Sequence, residues 1–576
     1  MKLRHACLAA AFLAFLGFAP VAGTQGPGKE EPADLVLRNG TIVTVDDGNP
    51  VVKALAARNG KIVAVGSDAD IGKYIGDKTK VIDLKGQMAM PGFIESHGHF
   101  TGLGKSKMML DLTTAKTWDD IVAQVAEAVK KAPEGTWILG RGWHQDKWTQ
   151  KPEPNIDGYP IHTKLSEVSP KHPVLLTHAS GHATFANAEA MRLANVDAKT
   201  KSPSGGEVVK DAKGNPIGLF RETAGGLISR AQGNAEKGQT AKQRQADLLK
   251  SIDLATDECL ANGVTSFQDA GSGFDVIETF KQLASANKLK VRLWVMIRAG
   301  NNVLEKLLPT SLIVGLGDFF LTVRAIKVTL DGALGPHGAW LLDPYEDLPT
   351  SRGLNTVPVA SLKTTAELAA KNKFQLCVHA IGDKANRETL NIFEDAFKQF
   401  PTKESRRWRI EHAQHLHPDD IGRFAKLGVI ASMQGIHCTS DAVYVIKRLG
   451  NRRAEQGAYM WQSLLKSGAI LCNGSDVPVE NISPLKSFYA SVTRKLPSGV
   501  TFFPEQKMTR QQALKSYTLH AAYAAFEEEI KGSLSLGKLA DIVVLSRDIM
   551  TVPDEQILGT DVMYTIVGGK VVYEKK

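Results

Sequence analysis

The chain has 576 residues, of which 43% are hydrophobic and 23% charged, and its formal net charge is +9 at pH 7. That positive surplus is spread thinly, and no dense lysine and arginine block is interleaved with aromatic residues, so the composition argues against a nucleic-acid partner. Four cysteines beyond the N-terminus are far apart and lack C-x-x-C spacing, which favours buried free thiols over a disulfide framework, although export would permit one bridge.

The first 23 residues have the pattern of a signal peptide. Lys2 and Arg4 precede an apolar run from Ala6 to Val21, and small residues follow it. The run is too short, and its continuation too polar, for a lasting transmembrane helix; an uncleaved anchor is the alternative. Cleavage would remove two positive charges and lower the net charge from +9 to +7. We therefore expect a secreted or periplasmic protein without a stable membrane span, in which residues 24–32 form a linker.

Short β-type runs follow over residues 33–90, where Asn-Gly, Asp-Gly and Lys-Gly turns separate segments such as DLVLRNGTIVTV. The same pattern returns near the C-terminus, over residues 531–576, in LADIVVLS and VMYTIVGGKVVYEKK. Apolar runs bounded by turn residues are typical of small antiparallel sheets. Two β meanders thus bracket a long middle segment.

That middle segment, residues 91–530, alternates amphipathic helical patterns with short apolar strands such as VRLWVMI, FQLCVHAIGD and AILCNGSDVPV. Alternation on this scale is typical of a parallel sheet with crossover helices, and about eight such units close a barrel. We therefore predict an α/β fold with a TIM-like (β/α)8 barrel. A doubly wound open sheet is the alternative, but it would need a Gly-rich nucleotide loop after an early strand, and the sequence has none.

Metal-ligand residue types recur where the predicted strands end, which in a parallel barrel is the edge that carries the chemistry. His97 and His99 are the first pair, since residues i and i+2 of a strand point to the same side. A lone H-x-H pattern is a weak signal, but later strand ends add further ligand types. Four imidazoles, one carboxylate and one amine at a single edge suit zinc or a similar divalent ion. The full set is His97, His99, Lys327, His379, His412 and Asp476.

The motifs around these residues resemble the metal-dependent amidohydrolase superfamily, and most of all its amidohydrolase-3 or YtcJ-like branch. The resemblance covers nearly all of the chain after the signal peptide. It rests on PGFIESHGHF, SGHATFANAEAM, IKVTLDGALGP, VHAIGDKA, RIEHAQ, SMQGIH and GSDVPV, which occur in one order. It implies a barrel entered at PGFIESHGHF and a small β-sandwich domain assembled from residues 33–90 and 531–576.

The resemblance also implies a role for each ligand. The H-x-H pair and Asp476 would bind the more buried of one or two divalent ions, zinc being the expected metal, and His379 and His412 would bind the second. Lys327 would take up carbon dioxide as N6-carboxylysine and bridge both ions, because an unmodified ammonium has no lone pair to offer. A plain amine in a salt bridge or hydrogen bond is the alternative for Lys327.

The implied reaction is hydrolysis of a carbonyl C–N bond in a small molecule such as an amide, formamide, urea or cyclic amide. Asp476 would be the general base, and His412 would assist at the reacting carbonyl. A mononuclear deaminase or hydrolase with an unmodified Lys327 is one alternative, and a non-catalytic scaffold is another. A carbohydrate or phosphate enzyme would need a carboxylate pair or a phosphate loop, which the sequence lacks. Self-association as a homo-oligomer, common in the superfamily, stays open.

The segment 131–230 is long for one barrel loop and rich in glycine, proline and aromatic residues, which predicts a lid or insertion over the site. His182, in SGHATFAN, matches a family histidine that faces substrate. His415 and His417 follow the strand of His412 and are predicted to be loop or surface histidines. The side chains predicted to contact substrate are Trp143, His144, His182, His337 and His437.

Overall fold

The computed structural model describes residues 30–236, 238 and 240–576. The predicted signal peptide and most of the predicted linker lie outside these residues. Within them, no helix is both long and apolar enough to cross a membrane. The four cysteines in this part of the chain are buried free thiols, in line with their spacing.

Eight parallel strands form a nearly closed barrel, in which each strand pairs with the next one along the chain. The first and last strands are joined where the Asp476 N–H donates to the His97 carbonyl at 2.7 Å. Both faces of the strands are almost entirely buried, which explains their continuous apolar sequences. The predicted α/β fold with a TIM-like barrel is confirmed. The strands are β1 (Phe93–Gly98), β2 (Val264–Ser272), β3 (Arg292–Ile297), β4 (Leu321–Thr329), β5 (Gln375–Ala380), β6 (Arg409–His412), β7 (Ile430–Gln434) and β8 (Leu471–Gly474).

Helices connect the barrel strands and bury their apolar faces in the main core. The longest uninterrupted one, Ala241–Ala261, begins at a capping box: the Thr240 hydroxyl accepts from Gln243 N, and the Gln243 side chain accepts from Thr240 N. The helices in and around the barrel are Phe100–Ser106, Ala241–Ala261, Phe274–Ser285, Asn301–Leu307, Leu316–Phe319, Val359–Lys371, Asp383–Gln399, Pro418–Leu427, Gly435–Gly457, Trp461–Lys466, Pro484–Thr493, Arg510–Ser516 and Leu519–Ala524, with 3-10 turns at Leu308–Thr310 and Pro504–Gln506.

Of two further sheets, the six-stranded one combines strands from near both ends of the chain, and the four-stranded one contains N-terminal strands alone. Ile542–Leu545 pairs antiparallel with Met88–Pro91, so the C-terminal strands extend a sheet begun by N-terminal ones. Both sheets bury one shared apolar cluster. The six-stranded sheet has the order Lys570–Glu574, Val562–Val567, Ile542–Leu545, Met88–Pro91, Thr41–Val43 and Val51–Val52. The four-stranded sheet has the order Lys61–Gly66, Ala54–Arg58, Leu35–Arg38 and Lys80–Asp83. This part of the chain also contains the short helices Asp68–Gly72 and Asp554–Ile557.

An insertion between β1 and β2 forms its own six-stranded sheet with its own apolar core. This sheet begins at Leu110, earlier than the predicted lid segment 131–230. Its strands, in order, are Gly206–Lys210, Pro216–Glu222, Ala183–Ala186, Val174–His178, Ile138–Trp143 and Leu110–Asp111. The insertion also contains the hairpin strands Asn155–Ile156 and Tyr159–Pro160, the 3-10 turn Gln145–Lys147 and the helices Trp118–Lys131, Thr163–Val168, Ala188–Leu193 and Gly225–Glu236.

In the barrel, the short strand Ile313–Gly315 pairs with β4.

Candidate metal centre

The carboxyl ends of β1 and β8 bring three ligand-type side chains together. His97 and His99 leave β1 two residues apart and point to the same side. Asp476 follows β8, and its Oδ1 lies 3.5 Å from His97 Nε2 and 3.2 Å from His99 Nε2. One ligand atom from each residue thus lies within 4.8 Å of the others. Barrel closure itself builds this cluster, because the backbone bond between β1 and β8 joins two of its members.

Glu411 holds the His97 ring from behind by accepting a hydrogen bond from Nδ1. Its other oxygen lies 2.7 Å from Arg409 Nε, and neither side chain is exposed. Burial alone would raise the pKa of Glu411, but Arg409 and His97 outweigh it and lower that pKa. An ionised Glu411 keeps the His97 proton on Nδ1, which leaves the Nε2 lone pair for a metal ion.

β5 and β6 end in the next two predicted ligands, His379 and His412, whose ring centroids are 4.4 Å apart. His412 Nδ1 lies 2.7 Å from Gln434 Oε1, an oxygen that only accepts, so the His412 proton sits on Nδ1 and Nε2 is free. His379 Nε2 is buried without a hydrogen-bond partner and lies 3.6 Å from Asp331 Oδ1. The His412 ring is 4.7 Å from the His97 ring, so this pair adjoins the first cluster.

Lys327 lies on β4 within the same group, with its Nζ 3.2 Å from His97 Nε2. Its side chain is buried, and this burial lowers the pKa of Lys327 to about 8, against the opposing charges of Glu411 and Asp476. The neutral amine is therefore accessible near neutral pH. All six predicted ligands lie at one end of the barrel.

The residues present fit a divalent cation. Asp476 Oδ1 and His379 Nε2 are buried without hydrogen-bond partners, an arrangement that costs free energy unless a cation or polar ligand meets these atoms. Burial alone would raise the pKa of Asp476, but the His99 ring in contact with its carboxylate and the histidines around it hold that pKa well below its usual range. Ionised carboxylate and neutral imidazole are donors that zinc and similar ions accept.

Two cavities meet at this centre, and His182, His379, His412 and Asp476 line both. The cavity that we call the small compartment has a volume of about 40 Å³, room for only a few atoms. The other cavity, the large compartment, has a volume of about 850 Å³. The small compartment is further defined by His144, Leu334, Ile381, His437, Asp441 and Tyr444. The large compartment is further defined by Lys105, Arg141, Glu222, Arg298, Thr329 and Val357.

His182 lies between the two compartments, with its ring 4.9 Å from that of His379. Its Nδ1 is 2.7 Å from Glu222 Oε2, and that carboxylate is buried. Burial alone would lower the pKa of His182, but the charge and hydrogen bond of Glu222 raise it overall. His182 thus presents a ring of fixed orientation, with its Nε2 free of the carboxylate, beside the metal centre.

The other predicted substrate contacts divide into two groups. His144 and His437 line the small compartment, and each has a buried Nε2 without a hydrogen-bond partner. Trp143 and His337 line neither compartment. The Trp143 ring is in the core of the insertion, where its indole N–H donates to Leu176 O at 3.0 Å. His337 Nε2 pairs with an aspartate outside both cavities at 3.1 Å.

His415 lies in the loop that follows β6, as predicted, but it is buried rather than at the surface. Only 2% of this residue is exposed, and its ring packs against Tyr459 with the centroids 5.5 Å apart. Both ring nitrogens are buried without hydrogen-bond partners. The chain turns inward after β6 here, since the His415 N–H donates to Ile381 O at 3.0 Å. His417 does lie at the surface, where it caps the helix Pro418–Leu427.

The sequence motifs did not indicate the carboxylates and the amide side chain that orient the candidate ligands. Glu95, two residues before His97, accepts from Ser475 N and joins β1 to β8 a second time. Asp331 accepts from three backbone N–H groups. A charged residue inside an otherwise apolar barrel strand was the available signal, because such a side chain needs a buried partner. The missed residues are Glu95, Glu222, Asp331, Glu411 and Gln434.

The sequence profile of the amidohydrolase family, Amidohydro_3, matches residues 80–573. The chain therefore belongs to the amidohydrolase family, and it is a metal-dependent hydrolase. This confirms the resemblance inferred from the motifs. The group formed by His97, His99 and Asp476 at the end of its barrel could hold a metal ion. A metal-dependent hydrolase of uncharacterized function from Pyrococcus horikoshii OT3 has the same fold, with a TM-score of 0.71, 27% identity and coverage of 90% of this chain and 99% of its own.

Three relatives align along nearly the whole chain. Protein LONG AFTER FAR-RED 3 of Arabidopsis thaliana is 34% identical over 94% of this chain and 92% of its own. The amidohydrolase YtcJ of Bacillus subtilis is 29% identical over 94% of this chain and 99% of its own. N-substituted formamide deformylase of Arthrobacter pascens is 26% identical over 94% of this chain and 98% of its own.

Proposed function

We propose that this protein hydrolyses the amide bond of N-substituted formamides and other short N-acyl amides. One observation carries the proposal: the metal centre lies between compartments of about 40 Å³ and about 850 Å³. An amide carbonyl has one substituent on carbon and another on nitrogen. A formyl or short acyl carbon substituent fits the small compartment, while the nitrogen substituent extends into the large one.

The similarity to N-substituted formamide deformylase supports this choice of substrate, since that relative aligns along 94% of this chain. Formamides were also among the substrates expected from the sequence. Ureas and cyclic amides fit the two compartments less well, because their carbonyl groups do not always lie between one very small and one large substituent. The two unequal compartments thus favour one member of the predicted substrate range.

His97, His99 and Asp476 would hold the divalent ion, with His379 and His412 beside them. Such an ion supplies Lewis acidity, which lowers the pKa of water and polarises a carbonyl oxygen. Asp476 Oδ1 faces the two histidines of β1, so Oδ2 is the atom placed to take a proton from attacking water and return it to the leaving amine nitrogen. The buried side chains of His144, Leu334 and Tyr444 on the wall of the small compartment would limit the access of bulk water to the carbonyl carbon.

Nδ1 of His182 donates to Glu222, whose carboxylate raises the pKa of His182 and favours the protonated ring. The protonated ring would also donate a hydrogen bond to the substrate from Nε2. Its position on the boundary between the compartments places this donor next to the scissile bond. This keeps the carbonyl oxygen oriented while Asp476 moves the proton. His182 is thereby a binding residue of the proposed reaction.

We further propose that Lys327 carries a carbamate and that the centre holds two ions. The side chain is buried, and its Nζ is 3.2 Å from His97 Nε2, with the His412 ring adjoining His97. Carbon-13 bicarbonate labelling and metal counting on protein purified without chelator test this. About two ions with a carbamate signal support it, and about one ion with a bare amine would favour the mononuclear alternative.

Turnover of an acyl series tests the proposed function. With one amine held constant, we expect kcat/KM to fall from the formyl to the acetyl to the butyryl derivative, because the small compartment accommodates only a few atoms. Adding chelator should abolish all three activities, and adding back divalent metal should restore them. Equal rates for all acyl groups, or no amide hydrolysis after metal loading, would contradict the proposal.

We also propose that the mature protein is exported. The charged start, apolar run and small residues of the first 23 positions support this. N-terminal sequencing of the protein recovered from the periplasm or the medium tests it, and an intact N-terminus in the cytoplasmic fraction would contradict it.

A further inference from the structure

We propose that the large compartment binds a carboxylate carried by the nitrogen substituent of the substrate, so that the preferred substrates are short N-acyl derivatives of amino acids. This inference rests on the function proposed above and adds a substrate class to it. Three cationic side chains that lack acidic partners carry the inference. They are Lys105, Arg141 and Arg298.

These three cations form no ion pair with any residue in the described part of the chain. The acidic side chains that share the cavity wall are both committed elsewhere. Glu222 is hydrogen-bonded to His182, and Asp476 belongs to the metal centre. Asp269 lies near Arg298 outside the cavity wall, but no ion pair joins them, and its oxygens accept from Phe100 N and Ser272 Oγ. The wall thus has a surplus of positive charge, which attracts an anion and disfavours a cationic substituent.

Arg298 directly follows β3 and is exposed to the compartment. Its Nη2 donates to Thr329 Oγ1 at 2.9 Å, which leaves Nη1 and Nε for a ligand. A methyl group placed on Gly271 would lie 3.2 Å from Arg298 Cβ and 3.3 Å from Lys327 Cβ. The stem of Arg298 thus lies beside the metal-centre lysine, on the β3–β4 side of the cavity.

Arg141 reaches the compartment from the opposite side, on a strand of the insertion. Its Nε donates to Pro478 O at 3.2 Å and its Nη2 to Ala179 O at 3.1 Å. These bonds fix the guanidinium against the loop that carries Asp476. Its Nη1 has no partner among the described residues and lies 3.8 Å from the position of a Cβ on Gly181, another wall residue.

Two guanidinium groups on opposite walls can each bind a carboxylate through paired N–H donors. Such binding is geometrically demanding and stronger than a neutral hydrogen bond. The small compartment offers nothing comparable, since its one lysine, Lys147, lies 3.8 Å from Glu480. The carboxylate end of a substrate is therefore directed into the large compartment, which places the acyl group in the small one.

A matched pair of substrates tests this inference. N-formyl-4-aminobutyrate carries a carboxylate, and N-formyl-4-aminobutyramide is its neutral counterpart; N-formylglycine and N-formyl-6-aminohexanoate vary the reach. We expect the best carboxylate to have a kcat/KM about tenfold above that of its amide. Arg298→Met should reduce this acid-to-amide ratio about tenfold, mainly through KM. Arg452→Met, at an exposed arginine that lines neither compartment, should leave the ratio unchanged.

Direct binding separates failure of this inference from failure of the proposed function. Calorimetry with glutarate and with neutral glutaramide measures the carboxylate preference without turnover. If no formamide is hydrolysed, yet glutarate binds about tenfold more weakly to Arg298→Met than to the wild type, the proposed function fails and the carboxylate subsite stands. If both proteins bind glutarate equally, or the acid-to-amide ratio is the same in both, the carboxylate subsite is wrong.

Discussion

The two compartments on either side of the metal centre differ in size, in charge and in the elements that build them. The small one is enclosed by residues after β4 and β5, by the helix Gly435–Gly457 and by the part of the insertion around His144. The large one is built by the insertion, by the helix after β1 and by the end of β3. Buried histidines such as His144 line the first, while arginines without ion pairs line the second. The two ends of a substrate are thereby selected by different criteria, volume at one end and charge at the other.

Asp476 lines both compartments, so the loss of its carboxylate should lower turnover whichever substituents the substrate carries. Asp476→Asn keeps the shape of the side chain but removes the proton acceptor. We expect kcat to fall about 10³-fold, and to a similar extent for formyl, acetyl, acidic and neutral substrates. Asp77→Asn, an exposed change in the small β domain, is the control. If purified Asp476→Asn retained the wild-type rate, the assignment of the base would be wrong.

Glu411 also acts on the shared centre, but through His97. Glu411→Gln removes the charge that fixes the His97 tautomer, so we expect metal affinity to fall about 10- to 100-fold, measured by competition with a chelator. The change also leaves the buried Arg409 without its ion pair. The melting temperature of metal-free protein measures that second effect separately. Unchanged metal affinity would show that Glu411 is only a structural partner of Arg409.

Leu334 tests the small compartment alone. Leu334→Ala enlarges its wall, so we expect the acetyl-to-formyl ratio of kcat/KM to rise about tenfold, as for other pockets that gain one or two carbon positions. Val357→Ala makes a similar cut in the wall of the large compartment and should leave that ratio unchanged. If both variants, or neither, shifted the acyl preference, the acyl group would not bind where we place it.

The sequence predicted the barrel, because its strands and helices follow from local patterns, and the candidate ligands that it indicated lie together at one end of that barrel. Apolar runs and strand-end histidines such as His97 and His379 depend on strand geometry that periodicity reveals. The orienting contacts depend on distant pairs: Glu411 meets His97 across 314 residues of chain, and no local pattern specifies such a partner. The burial of the His415 loop could not be predicted for the same reason, since it results from packing against elements elsewhere in the sequence. The division into two compartments depends on loops and on the insertion, which local patterns do not place.

Acid should distinguish the two compartments, because arginines keep their charge while histidines titrate. Burial lowers the pKa of His415 to about 3 and the pKa values of His144 and His178 well below their ordinary range. The unfolded chain therefore binds more protons than the folded one as the pH falls below about 6.5. We expect the free energy of unfolding to be highest above that pH and to decline toward pH 4, with each such histidine contributing about 1.4 kcal/mol per pH unit.

His415→Leu isolates one of these contributions, since it removes a buried ring whose nitrogens have no partners. Denaturant unfolding between pH 7 and pH 4 should show a shallower decline for this variant than for the wild type. His417→Asn is the matched control, because it changes a half-exposed histidine five residues after β6 while keeping a side chain that can cap the following helix. Parallel declines for His415→Leu and the wild type would mean that His415 does not contribute to the acid sensitivity, which then arises elsewhere.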